Sequence, residues 1–502
     1  MRMNRKMTAV LIFTLASASG CSRLAIDSLD QASLFDVEHD IVESIEAPSG
    51  FQVASIVEGL TYPSAMTFGS DGTLFILESY TIPAPGYDAR VLKVGRDGSI
   101  DELRIDDMPQ GATAVGLTAH DGWLYFTHEL ENGEWGVFRV SERGGRAETV
   151  ASGFPGTGDH DLNHIAFDSA GNLFVGQGSA TNAGLVSSHD PVNQKWLANH
   201  PGFHDIPCKT IHLTAKTFRE TNETTDAKDD TATTGAYQAY GKSGAATVAG
   251  QPMCTSAIYR IRPGSATPEV YAWGFRNPVG LAFGDDGQLY SAGHGADVRS
   301  TRPVVNDPDA VYRVRQGAWY GWPDYATELR PFTDSRYRPP QKYLADGHSS
   351  IGFVIDHSAS NLQAPDRSLL VAALEPHAAV GGMVAVPSNG PFSAWGGQLL
   401  VTEMGDFTPM TDPTTDGHSG FQVVAVDPST GKVTTFIRNR GTGDPLPASS
   451  LDLKKGLERP VDVRIGPDGY IYVLDYGVLN ISASGQKALP KTGRVFRVEP
   501  VR

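Results

Sequence analysis

The sequence predicts an all-β protein: a six-bladed β-propeller with a long cysteine-bearing insert in the third blade. Three observations carry this prediction. One hairpin pattern recurs six times, each copy is followed by a further apolar strand, and a spare strand at residues 51–57 precedes the first copy. A high content of turn-forming residues, 55 Gly and 32 Pro in 502 residues, agrees with a chain that reverses direction often.

Each hairpin consists of an apolar strand, a tight turn that ends in Gly, and a second apolar-aromatic strand. The first copy reads AMTFGSDGTLFILE from Ala65, and the last reads VRIGPDGYIYVLDYG from Val463. The turn glycines are Gly72, Gly122, Gly171, Gly287, Gly397 and Gly469. Because such turns require a positive φ, Asp-Gly and its relatives between alternating strands are a strong hairpin signal.

The third strands begin near Val91, Gly136, Ala257, Ala310, Phe421 and Gly493. A fourth strand is readable in some copies, for example at 147–150 and 432–436. Four-stranded sheets repeated around an axis form a propeller. Since the last copy lacks a fourth strand, we expect the spare strand at 51–57 to complete it and close the ring, which makes residues 51–502 one propeller.

The N-terminus has the pattern of a bacterial lipoprotein signal peptide over residues 1–21. Basic residues precede an apolar stretch at 7–18 that is too short to cross a bilayer, and Ala-Ser-Gly leads into Cys21. This resembles a lipobox, in which Cys21 would be lipidated; the alternative is ordinary signal cleavage nearby. Residues 22–50 are expected to form a tether, with a short helix at 27–44. We therefore expect an exported, periplasmic protein that reaches the outer membrane only through its lipid anchor.

Two further cysteines, Cys208 and Cys254, lie in a long polar insert at residues 179–256. Cysteines of an exported protein can form a disulfide. A disulfide that constrains the insert is therefore a better interpretation of this pair than a catalytic thiol. The insert follows a second strand, so it should fold over the channel mouth on the side of His160. The alternative for the insert is a disordered surface excursion.

Charge and motif content exclude several function classes. The formal net charge is −16, which disfavours nucleic acid as a partner. No glycine-rich nucleotide motif follows a strand and opens a helix, so nicotinamide use is unsupported. No CxxCH motif is present for an attached c-type haem, and a redox enzyme would need an external electron acceptor.

Aligning the repeats on their turn glycines brings polar residues to one mouth of the channel. They are His160, Asp161, Arg276, Asn277, Arg459 and, from the fifth blade, His377. Each alone could be a solvated loop residue, but a channel mouth is concave and few such sites exist in one protein. A His beside Arg residues suits proton removal from an alcohol and binding of an anionic cofactor or substrate.

Four segments resemble the soluble glucose/sorbosone dehydrogenases, exported six-bladed propellers that use pyrroloquinoline quinone (PQQ) and calcium. The segments are GDHDLNHIAFDSAGNLFVGQGS, YAWGFRNPVGLAFGDDGQLY, GAWYGWPDY and RPVDVRIGPDGYIYVLD. The resemblance implies that His160 is the general base and that Arg276, Asn277 and Arg459 hold the quinone. It also implies that the backbone carbonyls of Gly295 and Ala296 ligate the catalytic calcium.

The chain departs from the family's glucose dehydrogenases at two positions. Those enzymes carry a Lys where Met404 or Gly405 stands and a second Arg where Val461 stands. The leading hypothesis is quinone-dependent oxidation of a sugar or related polyhydroxy substrate, with PQQ and Ca²⁺ at the mouth. The alternatives are a calcium-dependent lactonase-like hydrolase and a non-catalytic propeller that binds a glycan or protein.

Overall fold

The computed structural model describes residues 35, 40–79, 88–108, 113–227, 229–244, 246–344, 351–415, 418–482 and 485–501. The proposed signal peptide and Cys21 lie outside these residues.

Six sheets, each with at least four antiparallel strands, form the blades and confirm the predicted propeller. Blade 1 contains Pro63–Phe68, Leu74–Glu78, Arg90–Val94 and Ile100–Glu102. Blade 2 contains Ala114–His120, Trp123–Glu129, Trp135–Ser141 and Glu148–Phe154. Blade 3 contains Leu162–Phe167, Leu173–Gln177, Ala257–Ile261 and Glu269–Trp273.

The second half of the ring repeats this arrangement. Blade 4 contains Asn277–Phe283, Leu289–His294, Pro308–Arg313 and Leu370–Pro376. Blade 5 contains Val380–Ala385, Leu399–Glu403, Gln422–Val426 and Val433–Asn439. Blade 6 contains Pro460–Ile465, Ile471–Asp475, Gly493–Pro500 and Phe51–Leu60.

Turn chemistry and ring closure both follow the sequence pattern. All six turn glycines have φ between +75° and +83°, a region that costs residues with a Cβ considerable strain. The spare strand, Phe51–Leu60, pairs antiparallel with Gly493–Pro500, with Val53 opposite Val498 and Leu60 opposite Gly493. The N-terminal strand therefore closes the last blade, as predicted.

The core lies between the blades, where the faces of neighbouring sheets pack together. Between blades 1 and 2, for example, Phe75, Leu117 and Phe126 belong to one buried cluster. Each blade is therefore apolar on both faces, which is why its inner strands are nearly continuous runs of apolar residues.

The helix predicted over residues 27–44 is wrong for its described part from residue 40 onward. Asp40–Ile41 is a strand that pairs with Ser55 and Ala54, and Ile45–Glu46 pairs with the outer strand of blade 5. The reason is that outer blade strands have unpaired backbone groups, to which an extended segment can add hydrogen bonds. Val42 and Ile45, each 3% exposed, anchor this segment in the core.

The described residues of the blade 3 insert form regular elements joined by turns. It contains helix α1, Pro191–Leu197, and two small sheets. The strand pairs are Ile211–His212 with Thr247–Val248, and Thr217–Thr221 with Thr231–Gly235. Cys208 and Cys254 form a disulfide, which confirms the predicted pairing.

The remaining short elements lie in the loops that connect strands, both within and between blades. Ile105–Asp106 pairs in parallel with Gly145–Arg146, and Leu479–Ser482 forms a hairpin with Gly485–Ala488. The 3₁₀ turns are Ser335–Tyr337, Gln341–Tyr343, Arg367–Leu369, Ser393–Trp395 and Ala448–Leu451. Within the described ranges, no helix has the length and apolar character needed to cross a bilayer.

Candidate active site

A cavity of about 750 Å³ opens at the mouth of the channel, where the first strands of the blades begin. Loops that follow second strands also reach it: the blade 3 insert contributes α1, and the hairpin of blade 6 contributes Leu479 and Gln486. Of the residues predicted for the site, those lining the cavity are His160, Asp161, Arg276, Asn277, Gly295 and His377. Ala296 and Arg459 are not among the lining residues.

His160 is held with one ring nitrogen committed to the protein. Its Nδ1 lies 3.0 Å from the carbonyl oxygen of Ser179, so Nδ1 carries the hydrogen and donates it to that oxygen. Burial, together with the positive charges of Arg276 and Arg299, lowers the pKa of His160 to about 3 against the opposing field of Asp159. At neutral pH the imidazole is therefore uncharged, and its Nε2 has a lone pair that can accept a proton.

Asp159 lies beside this nitrogen, with its Oδ2 at 3.6 Å from Nε2 of His160. Although burial acts to raise its pKa, Arg299, His160 and Arg276 hold the pKa of Asp159 below its usual value. Arg299 donates to Asp159 and also contacts Asp190 at 2.7 Å and Asp297 at 2.9 Å. The carboxylate beside His160 is thus charged and fixed in place, so it can stabilise an imidazolium.

Arg276 is buried, with only part of its guanidinium used by the protein. Its Nε donates to the carbonyl of Asn182, and its Nη2 donates to Asn182 Oδ1 at 3.1 Å and to Asp297 at 2.8 Å. Its Nη1 donates to no residue in the described part of the chain. Because Arg276 lines the cavity, this nitrogen offers charge-assisted hydrogen bonds to a bound oxygen.

Asn277 is oriented by its neighbours in the first and second strands. Its Oδ1 accepts a hydrogen bond from Asn163 Nδ2 at 2.8 Å, and its Nδ2 donates to His294 Nδ1 at 3.1 Å. His294 in turn donates from Nε2 to the carbonyl of Val380 at 2.8 Å. This chain of hydrogen bonds fixes the amide plane of Asn277 at the cavity wall.

His377 connects the charged cluster to the loop after the second strand of blade 5. Its Nδ1 lies 3.4 Å from Asp297 and its Nε2 lies 3.4 Å from Asp412. Burial acts to lower its pKa, but the hydrogen bonds and charges of the two carboxylates raise it to about 10. His377 is therefore a cation at neutral pH and lies between the two carboxylates.

Asp161 also lines the cavity and differs from Asp159 in its charge state. Burial, with the fields of Glu129 and Asp159, raises the pKa of Asp161 to about 8. Its carboxyl is therefore mostly protonated at neutral pH. In this state it can donate a hydrogen bond to a carbonyl or hydroxyl oxygen in the cavity.

Gly295 and Ala296 follow the second strand of blade 4, and their amides are fixed by two carboxylates. Gly295 N donates to Asp309 at 2.9 Å, and Ala296 N donates to Asp307 at 2.7 Å. Their carbonyl oxygens accept no hydrogen bond from any described residue, whereas the next carbonyl, that of Asp297, accepts two. Backbone carbonyls without donors are the hard oxygen ligands that Ca²⁺ prefers.

Arg459 lies behind the cavity wall. Its Nη1 donates to the carbonyls of Gly405 and Asp406 at 2.9 and 3.1 Å, and its guanidinium lies over the rings of Phe407 and Phe421. Its contacts therefore hold the loop that carries Met404 and Phe407 to the cavity, whereas the resemblance implied a direct contact with the quinone.

Sequence reasoning missed Asp159, Asp190, Asp297 and Arg299, which complete the charged cluster. Asp159 directly precedes His160, Asp297 directly follows Ala296, and Arg299 lies two residues after Asp297. The positions of Asp159, Asp297 and Arg299 next to the recognised motifs could have identified them from the sequence. Asp190 lies inside the insert and has no such signal, because only the fold brings it to Arg299.

Comparison with known proteins supports the resemblance seen in the motifs. Residues 216–408 match the family model for Glucose / Sorbosone dehydrogenase, which confirms that resemblance over this segment. The segment includes Arg276, Asn277, Gly295, Ala296 and His377, whereas His160, Asp161 and Arg459 lie outside it. No curated protein matches the sequence.

Several solved structures share the fold. The calcium structure of a Trichoderma reesei carbohydrate-active enzyme of family AA12 is 16% identical, with 91% of this chain and 97% of that chain covered and a TM-score of 0.52. The holo form of the pyranose dehydrogenase PQQ domain from Coprinopsis cinerea is 15% identical, with the same coverages and a TM-score of 0.51. At these identities the likeness establishes the six-bladed propeller.

Proposed function

We propose that the cavity is the active site of a quinone-dependent dehydrogenase that oxidises a sugar or related polyhydroxy substrate. The observation that carries this proposal is that two unused groups share one cavity: the Nε2 lone pair of His160 and the Nη1 donor of Arg276. The first can take a proton from a hydroxyl group. The second can donate charge-assisted hydrogen bonds to an oxygen of a bound cofactor.

The residues present fit PQQ and calcium by the chemistry of their donors. Arg276 Nη1 and the oriented Asn277 amide suit the oxygens of a quinone, and the free carbonyls of Gly295 and Ala296 suit Ca²⁺. When bound, PQQ supplies the hydride acceptor and calcium supplies a Lewis acid.

In this proposal the protein residues bind, orient and move a proton. His160 accepts the hydroxyl proton at Nε2, while its Nδ1 hydrogen bond to Ser179 keeps the ring from rotating. Asp159 stabilises the imidazolium that forms, because it is charged and lies 3.6 Å away. Arg299 holds Asp159 in position and so acts through it as a positioning residue.

One side of the cavity lacks the cations that the family's glucose dehydrogenases carry. Met404 and Val461 occupy those positions, and both line the cavity. Because Arg459 does not line the cavity, the carboxylates of PQQ would find fewer cations than in those enzymes. We therefore expect PQQ to bind more weakly here.

The comparisons agree with this proposal. The family model that matches residues 216–408 is that of glucose and sorbosone dehydrogenases, and the Coprinopsis structure is the holo form of a pyranose dehydrogenase PQQ domain. We also propose that the protein is exported, anchored through lipid-modified Cys21, and passes electrons to an external acceptor.

The test is sugar-dependent reduction of a redox dye by purified protein, with and without added PQQ and Ca²⁺. We expect reduction only when both are present and when an aldose is supplied. His160→Gln should lose most of the rate, whereas His120→Gln should retain it, because His120 stacks on Phe167 and does not line the cavity. If the protein hydrolyses a lactone in a calcium-dependent way and does not reduce the dye, the dehydrogenase hypothesis is rejected in favour of the lactonase-like hydrolase.

A further inference from the structure

The insert of blade 3 forms one wall of the cavity, through α1 and the turn after it. The side chains that this segment contributes are Pro191, Val192, Lys195, Trp196, Asn199 and His200. They line the same cavity as His160 and Arg276. A substrate whose hydroxyl group reaches His160 would therefore lie close to this wall.

Trp196 is the one large aromatic side chain on the wall. It is half-buried, and it packs against the apolar cluster of Ala180, Val186, Leu197 and Phe203. Its ring centroid lies 5.5 Å from that of His200, at an interplanar angle of 56°. The indole is therefore supported by the insert and also contributes surface to the cavity.

The position of α1 is fixed by the same charges that fix the base. The Asp190 carboxylate accepts a hydrogen bond from Val192 N at 3.0 Å, which caps the helix, and it also pairs with Arg299. The buried side chain of Asn193 accepts a hydrogen bond from Ser187 N at 3.1 Å. Since Arg299 also holds Asp159, the wall with Trp196 and the side of the cavity with His160 share one rigid network.

We propose that Trp196 is an aromatic platform for the ring of a cyclic aldose. This inference rests on the proposed function and narrows its substrate class to ring sugars over linear alditols. The C–H face of a pyranose ring is flat and apolar, and it matches the face of an indole, while Asn199 and His200 can meet the hydroxyl groups at its edge. A linear alditol offers the same kinds of hydroxyl group but has no such face.

The test measures binding in the absence of PQQ, so that its readout is independent of turnover. Binding of D-glucose, D-galactose and D-xylose, each against its own alditol, would be followed by saturation-transfer NMR and calorimetry. We expect at least one aldose to bind roughly three- to tenfold more tightly than its alditol. Equal binding of every aldose and its alditol by the wild-type protein would overturn the proposal.

Three variants identify the residue responsible. Trp196→Leu should bring aldose affinity down to that of the alditol, and Trp196→Phe should keep part of the preference because a ring remains. Trp123→Leu is the matched control, because this half-buried Trp packs against Arg139 and does not line the cavity. If Trp196→Leu binds aldoses as the wild type does, the platform is refuted. If Trp196→Leu does not fold, the test is made with Trp196→Phe. An aldose preference equal to that of the wild type then refutes the platform, and a reduced preference supports it.

Failure of this inference can be told apart from failure of the proposed function. Trp196-dependent sugar binding without any dye reduction would leave the platform in place and remove the dehydrogenase. The opposite outcome is that the protein reduces the dye while Trp196→Leu leaves the ratio of the KM values for aldose and alditol unchanged. That result would support the dehydrogenase and refute the platform.

Discussion

The Asp190 carboxylate accepts hydrogen bonds of 2.8 and 2.7 Å from Nη1 of Arg299, and the same carboxylate caps the first turn of α1. One buried side chain thus belongs both to the insert and to the charged cluster beside His160. A buried ion pair of this kind contributes little net stability by itself, but removing one partner leaves the other uncompensated. The geometry of the insert and that of the surroundings of His160 are therefore linked.

Asp190→Asn should separate the two roles of this residue. Asn caps helices as well as Asp does, so the helix keeps its cap while Arg299 loses one carboxylate. We expect the free energy of unfolding to fall by roughly 3 kcal/mol, measured by urea denaturation. Asp334→Asn, at the half-buried cap of Ser335–Tyr337, is the control and should change it by less than about 1 kcal/mol. Equal changes in the free energy of unfolding for the two substitutions would show that the pairing of Asp190 with Arg299 does not contribute to stability.

His377 should make stability depend on pH above neutrality. Its pKa is about 10 in the folded protein, against an ordinary value of 6.5, so its stabilising effect is complete below about pH 6.5 and is lost as pH rises towards 10. We expect His377→Gln to be less stable than wild type by roughly 3 kcal/mol at pH 6, with the difference shrinking by pH 10. The measurement is urea denaturation of both proteins at pH 6, 8 and 10. A difference that stays constant over this range contradicts the assigned ion pairs with Asp297 and Asp412.

Adding a cation where the glucose dehydrogenases that this chain resembles carry an Arg should strengthen PQQ binding. Val461→Arg places a guanidinium on the apolar side of the cavity, where it can meet a carboxylate of PQQ. We expect about a tenfold gain in PQQ affinity, followed by the absorbance of the bound quinone in the presence of Ca²⁺. Val501→Arg adds the same charge at a position that is 56% exposed and should leave the affinity unchanged. An unchanged or weaker affinity for Val461→Arg would mean that PQQ does not present its carboxylates to this side.

Replacing Cys21 should change where the protein is found. The sequence before it, Ala-Ser-Gly, has the small residues that lipoprotein cleavage requires. We expect Cys21→Ala to move the protein from the membrane fraction to the soluble periplasmic fraction, as followed by immunoblotting. Cys208→Ala removes a different cysteine and should leave the protein in the membrane fraction. Membrane association that survives Cys21→Ala rules out this anchor.

The propeller could be predicted because each of its hairpins is encoded by a short stretch of neighbouring residues. Each hairpin is specified by a glycine turn between two apolar strands, so the six copies could be counted without knowing how they pack. The closing strand at Phe51–Leu60 was predictable because the last repeat lacked a fourth strand. The extended segment at 40–46 was not, since its conformation depends on pairing with outer strands that lie far away in sequence.

The candidate site could be predicted only in part, for the same reason. His160, Arg276 and Asn277 were found because each begins or precedes the first strand of a blade, where position in the repeat fixes position in space. Arg459 occupies an equivalent place, yet its guanidinium turns to the carbonyls of Gly405 and Asp406, a contact set by a loop conformation. The platform residue Trp196 lies in an insert that has no counterpart in the repeats.

In the proposed reaction, His160 removes a proton from a sugar hydroxyl while the cavity holds the quinone. The most direct test mixes PQQ- and Ca²⁺-loaded protein with an aldose in the absence of oxygen and dye, and follows the quinone absorbance over a single turnover. We expect the wild type to lose this absorbance, and His160→Ala to bind PQQ equally well but react about 10²–10⁴ times more slowly. Loss of absorbance at the same rate in both proteins, or no loss with any aldose, would contradict the claim.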